Sequence, residues 1–105
     1  MSSSRHTVRL LSLAAQDLLD IVSFVAADNL PAALALADRI ERDLERLGRH
    51  PYLGRIPNDE RLATLNYRIL VIETYLVFYK IRGRSVLIYR IFHGARDIPG
   101  LLEDF

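Results

Sequence analysis

The sequence predicts a small α+β domain: an N-terminal strand, an αα-hairpin, then a three-stranded antiparallel β-meander. Three observations lead there. Apolar residues recur at helical spacing through the first half of the chain. A stretch holding Pro51, Gly54 and Pro57 then interrupts that period. Beyond it come short runs rich in β-branched and aromatic residues, separated by connections of turn length.

Residues 7–12 are short and apolar-rich and read as a strand. In the helix that follows, Leu18, Ile21, Val22 and Val25 share one face, and Gln16, Asp17, Asp20 and Ser23 the other. Asp28-Asn29 ends this helix. Asn29 is suited to cap the next one, where Pro31 is tolerated in the first turn. The second helix carries a stripe of Ala33, Leu36, Ala37, Ile40, Leu44 and Leu47, opposed by Asp38, Arg39, Arg42, Asp43 and Arg46. Asp38–Arg42 and Arg39–Asp43 are i,i+4 pairs, each worth about 0.2–0.5 kcal/mol. Gly48 and Pro51 read as its stop. The short link between the helices makes them a hairpin.

Residues 51–58 read as a loop, with a short helical turn expected over 61–65. Strands are expected over 67–72, 75–81 and 85–92. Glu73-Thr74 joins the first two. Arg82-Gly83-Arg84 joins the last two, with Gly83 supplying the positive φ that hairpin turns need. Both sheet faces are apolar: Tyr75, Val77, Tyr79 and Ile81 on one, Leu76 and Phe78 on the other. The helical hairpin covers one face, so a partner is expected over part of the other.

At 105 residues the chain is one domain, with residues 1–6 expected as a flexible N-terminus. Half of its residues are apolar or aromatic, which excludes a disordered chain. Cysteine is absent, so disulfides and thiolate metal sites are excluded. No apolar run is long enough to cross a bilayer, and the opening residues lack the apolar core of a signal peptide. A cytoplasmic protein with no membrane partner is expected. Net charge is only +1, but it is unevenly spread. From Arg61 to Arg96 seven basic residues (Arg61, Arg68, Lys80, Arg82, Arg84, Arg90, Arg96) face a single acid, Glu73. Lys80 is the one lysine among fourteen basic residues. Arginine suits phosphate and carboxylate partners, so this half of the chain fits nucleic acid or an acidic protein segment.

His93 is the most suggestive single residue. It follows the last strand, beside Gly94 and three residues before Arg96. It suits acid–base chemistry or loop anchoring. No nucleophile motif, P-loop or dinucleotide fingerprint is present, and His6, His50 and His93 lack metal-ligand spacing. No cofactor is implied. Cleaving RNA would require Arg68, Arg90, Arg96, Tyr89 and His93 to converge on one phosphate. Tyr67, Tyr75, Tyr79 and Tyr89 can stack on bases or pack in a sheet.

Four segments in this order, after a helical hairpin, resemble the RelE/ParE superfamily of type II toxins, and its ParE branch best. They are HPYLGR (50–55), YRIL (67–70), YLVFYKI (75–81) and RIFHGARD (90–97). The resemblance runs from residue 7 to 102. It implies a strand–helix–helix–three-strand fold and a ParD-like antitoxin, encoded adjacently, with an amphipathic and often acidic tail. RelE-like relatives cleave mRNA on the ribosome, and ParE-like relatives poison DNA gyrase. Leu70 and Leu76 stand where a RelE-like nuclease places basic groups, and an apolar side chain cannot stabilise a phosphate. The resemblance therefore implies a gyrase-directed toxin rather than an enzyme. An mRNA endoribonuclease using His93, Arg96, Arg68 and Arg90 is the alternative, and an inactive antitoxin-binding module is a third reading. Arg68, Arg90, His93 and Arg96 are the expected toxic surface. Tyr75, Leu76, Val77, Phe78, Arg82 and Arg84 are the expected antitoxin contacts.

Overall fold

The computed structural model describes residues 5–94, and Arg96 and the rest of the RIFHGARD segment beyond Gly94 lie outside them. Elements run in the order β1 (Thr7–Leu10), α1 (Ser12–Asp28), α2 (Leu30–Arg49), α3 (Glu60–Thr64), β2 (Arg68–Ile72), β3 (Tyr75–Arg82) and β4 (Ser85–His93). This is the α+β architecture the sequence predicts. The first strand is shorter than its apolar run suggested, because Ser12 already starts α1. Leu11 marks the change: its N–H donates to the Ile88 carbonyl at 3.0 Å, while its own carbonyl accepts from Ala15 in the first helical turn.

One residue serves both helices. The Asn29 N–H closes α1 on the Val25 carbonyl, and its side chain accepts from the Ala32 N–H at 3.0 Å to cap α2. Gly48 has a different role from the helix stop its sequence position suggested. It lies within the last turn of α2, where the entering chain crosses it. The His6 N–H donates to the Gly48 carbonyl at 2.7 Å, and a Cβ on Gly48 would stand 2.9 Å from the His6 carbonyl oxygen.

The sheet has the order β1-β4-β3-β2. β2, β3 and β4 form the antiparallel meander, with Gly83 at φ 58° in the β3–β4 turn. β1 joins parallel to β4, from Thr7↔Ser85 to Leu10↔Ile88, with the helical hairpin as the start of the crossover. A register shift at Phe78/Tyr79 leaves Tyr89 as the extra residue of a bulge. The bulge resets the alternation, so that Val86, Ile88 and Ile91 all face the helices.

Two cores result. On the helix side, Ile21, Leu36, Ile40 and Leu47 pack on Ile72, Val77, Tyr79 and Ile88. On the opposite face, Leu62 of α3 and Tyr67 pack with Ile69, Phe78 and Phe92. The chain therefore covers much of its own second face. Phe78 is fully buried by these contacts, a burial worth about 1.5–3 kcal/mol.

Candidate functional site

The residues expected to act together are distributed along the sheet. Arg68 pairs with Tyr79 in the β2–β3 register, and His93 pairs with Tyr75 in the β3–β4 register. Four rungs of β3 separate them, roughly 13 Å along the strand. They sit at opposite ends of the sheet. The His93 ring meets the Tyr75 ring edge-on, with centroids 5.2 Å apart.

Arg90 lies at the edge of β4, beyond the point where β1 stops. Its Nε and Nη2 donate to the Asp17 carboxylate at 2.8 and 3.0 Å, and its guanidinium lies 4.6 Å from the Phe92 ring centroid. The same carboxylate accepts the Ile91 N–H at 2.9 Å. Asp17 thus takes over the pairing of β4 where β1 has ended. Its side chain is 15% exposed and that of Arg90 19%. Sequence reading placed Asp17 on the solvent face of α1. The signal was present: Asp17 follows Ala14 by three and precedes Ile21 by four, both of them buried.

Arg68 holds the loop before α3. It donates to the Gly54 carbonyl through Nε at 3.1 Å and Nη2 at 2.6 Å, and to the Tyr52 carbonyl at 3.3 Å. The fully buried Tyr79 completes the anchor. Its hydroxyl donates to the Pro51 carbonyl at 2.7 Å and accepts the Gly54 N–H at 2.9 Å. Burial pushes the Tyr79 phenol up, partly offset by the Gly54 N–H and Arg68. Arg55 and Ile69 exchange both backbone hydrogen bonds, at 2.9 and 2.8 Å, so the loop also pairs with the outer edge of β2. A Cβ on Gly54 would stand 2.7 Å from the Ile69 carbonyl oxygen.

Lys80 has no carboxylate partner among the described residues. Its Nζ lies 4.5 Å from the Tyr67 ring centroid and 5.1 Å from that of Tyr89. Burial, followed by the neighbouring Tyr89, raises the Tyr67 phenol, which stays a neutral donor. Among the described residues no group of three or more His, Asp or Glu side chains is placed to hold a metal.

Of the expected antitoxin contacts, Tyr75 and Val77 lie in the helix-side core and Phe78 in the opposite one, whereas Leu76 is partly buried and Arg82 and Arg84 are exposed. Large apolar side chains are exposed on the helical hairpin (Leu13, Leu19 and Phe24 on α1, Leu30 and Leu34 on α2) and elsewhere, as at Val71 on β2. A groove of about 420 Å³ runs between β1 and the helices. Val8, Leu10, Leu18, Ala37 and Leu44 line it, with Glu41 and Glu45 among its walls.

Residues 8–98 match the family described as ParE toxin of type II toxin-antitoxin system, parDE. No curated protein matches the chain. In fold the chain is similar to a chain of the chromosomal ParDE toxin–antitoxin system from P. aeruginosa, with a TM-score of 0.71 and 21% identity over 87% of this chain and 98% of that one. It is also similar to a chain of the RelBE2 toxin–antitoxin complex from Mycobacterium tuberculosis, with a TM-score of 0.56 and 24% identity over 85% and 91% of the two chains.

Proposed function

Because this chain belongs to the ParE toxin family of type II toxin–antitoxin systems, we propose that it is a cytoplasmic toxin that inhibits DNA gyrase when free of its antitoxin. The observation that carries this reading over RNA cleavage is the separation of the candidate catalytic groups. Arg68 holds loop carbonyls, Arg90 is paired with Asp17, and His93 lies roughly 13 Å from Arg68 along the sheet. A phosphoryl-transfer transition state needs its cations and its proton donor within hydrogen-bond reach of one phosphate. Leu70 and Leu76 add no charge near it.

An antitoxin completes the reading. The exposed leucines of the hairpin and the groove beside β1 support an amphipathic segment laid along α2, its apolar side chains seated between Leu10, Leu18 and Leu44. Acidic residues of such a segment would find the positive end of the sheet at Arg82 and Arg84. The test is a supercoiling assay with purified gyrase. Inhibition that rises with toxin and is reversed by the adjacently encoded antitoxin is expected. Undiminished supercoiling at saturating toxin refutes the gyrase reading. Codon-specific cleavage in a translation extract, lost on His93→Ala, would put the ribosome in its place.

A further inference from the structure

The end of the sheet away from His93 carries a cleft beside Arg82. It has a volume of about 390 Å³, on the scale of small-ligand sites, and Tyr52, Ile56, Asn66, Tyr67 and Arg68 form most of its wall. We propose that this cleft binds a nucleobase bearing a phosphate, with the base against Tyr52 and the phosphate on the surrounding cations.

Three observations support it independently. First, Tyr52 is 69% exposed yet sits on a loop fixed at four points: the Tyr79 hydroxyl, the Arg68 guanidinium, the Arg55–Ile69 pair and the close approach of Gly54 to Ile69. A large aromatic held rigidly in water is a preorganised stacking surface. Second, Arg68 in the cleft wall and the cations next in sequence to its lining residues lack carboxylates. Among the described residues Arg55, Arg68, Lys80 and Arg82 have no acidic partner, and Arg68 and Lys80 lie over tyrosine rings instead. Arg39, Arg42 and Arg46 on α2 and Arg90 on β4 are each paired with an aspartate. Third, Asn66, in the left-handed conformation (φ 70°) that terminates α3, lies on the cleft wall. Its carboxamide offers both a donor and acceptors to a base edge. Aromatic faces, uncompensated cations and one amide are the groups that bind an unpaired nucleotide, free or within a single strand.

The chain contains no tryptophan, so Tyr52→Trp places a single reporter at the stacking position. Adenosine monophosphate, an eight-nucleotide single strand, the same strand without bases, and polyglutamate are titrated against the full-length variant. Saturable quenching by the mononucleotide and the strand is expected, weakening as salt rises. Quenching by both identifies a free nucleotide as sufficient, and quenching by the strand alone identifies nucleic acid as the source; either supports the site. In the otherwise unaltered chain, anisotropy of a labelled strand should report about tenfold weaker binding after Tyr52→Ala, and a comparable loss after Arg82→Glu. Arg42→Glu on α2 should leave it unchanged. The proposal is overturned by absence of quenching, by equal response to the base-free strand or polyglutamate, or by binding indifferent to Tyr52→Ala.

Discussion

Replacing Asp17 with alanine tests whether a helix side chain really completes the edge of β4. One carboxylate accepts three hydrogen bonds, from Arg90 Nε and Nη2 and from the Ile91 N–H, at 2.8, 3.0 and 2.9 Å. Removing it leaves the Ile91 N–H without its partner, a loss of about 1–3 kcal/mol. It also strips Arg90 of its counter-charge. Breaking a fully buried ion pair costs about 3–5 kcal/mol, and partial exposure of this one reduces that. We expect Asp17→Ala to destabilise the chain by about 3 kcal/mol, a large share of the roughly 5–15 kcal/mol that holds a domain together. For a urea slope of about 2 kcal/mol/M, the unfolding midpoint falls by about 1.5 M. Asp17→Asn keeps an acceptor for Ile91 and loses only the charge, so it should fall between the two. A double-mutant cycle with Arg90→Met should give a coupling of about 1–2 kcal/mol. The assay is equilibrium urea unfolding followed by far-UV circular dichroism at pH 7. If Asp17→Ala lies within about 0.5 kcal/mol of the parent, as substitutions on an open helix face do, the edge-completion argument is wrong.

Other substitutions test the remaining joints. Gly54→Ala sets a Cβ against the Ile69 carbonyl and should destabilise by about 2–3 kcal/mol, whereas Gly83→Ala meets no atom and should cost about 1 kcal/mol for its positive φ; thermal melts should rank them in that order. The raised phenols of Tyr79 and Tyr67 predict alkaline sensitivity. The unfolded chain releases these protons near pH 10 while the folded chain keeps them, so stability is intact below about pH 10 and falls above it. Urea midpoints from pH 8 to 11 should trace that fall, and Tyr79→Phe should flatten part of it. On the exposed face of α2, Leu34→Asp should leave the urea midpoint unchanged yet weaken capture by the adjacently encoded antitoxin about thirtyfold; unaltered capture would remove α2 from the interface.

Local physics made much of this protein legible from its sequence. The stripe from Ala33 to Leu47 fixes α2 because its period is that of a helix. Asn29 and Gly83 mark a cap and a turn because few residues satisfy those backbones. The order of the four motif segments carried the family. The tertiary structure decided what depends on residues distant in the chain. Only the fold brings β1 beside β4, and with it the pressure on Gly48 that keeps a side chain out. Only the fold turns Asp17 from a surface acid into the end of a strand ladder, seventy-three residues from Arg90. Arg68, Arg90 and His93 look like companions in sequence because they flank one meander. A strand carries its side chains in line, and the register sets Arg68 and His93 at opposite ends. In sequence Tyr52 is one residue of the loop over 51–58; the anchors beneath it, drawn from Tyr79, Arg68 and Ile69, are what hold it in the open.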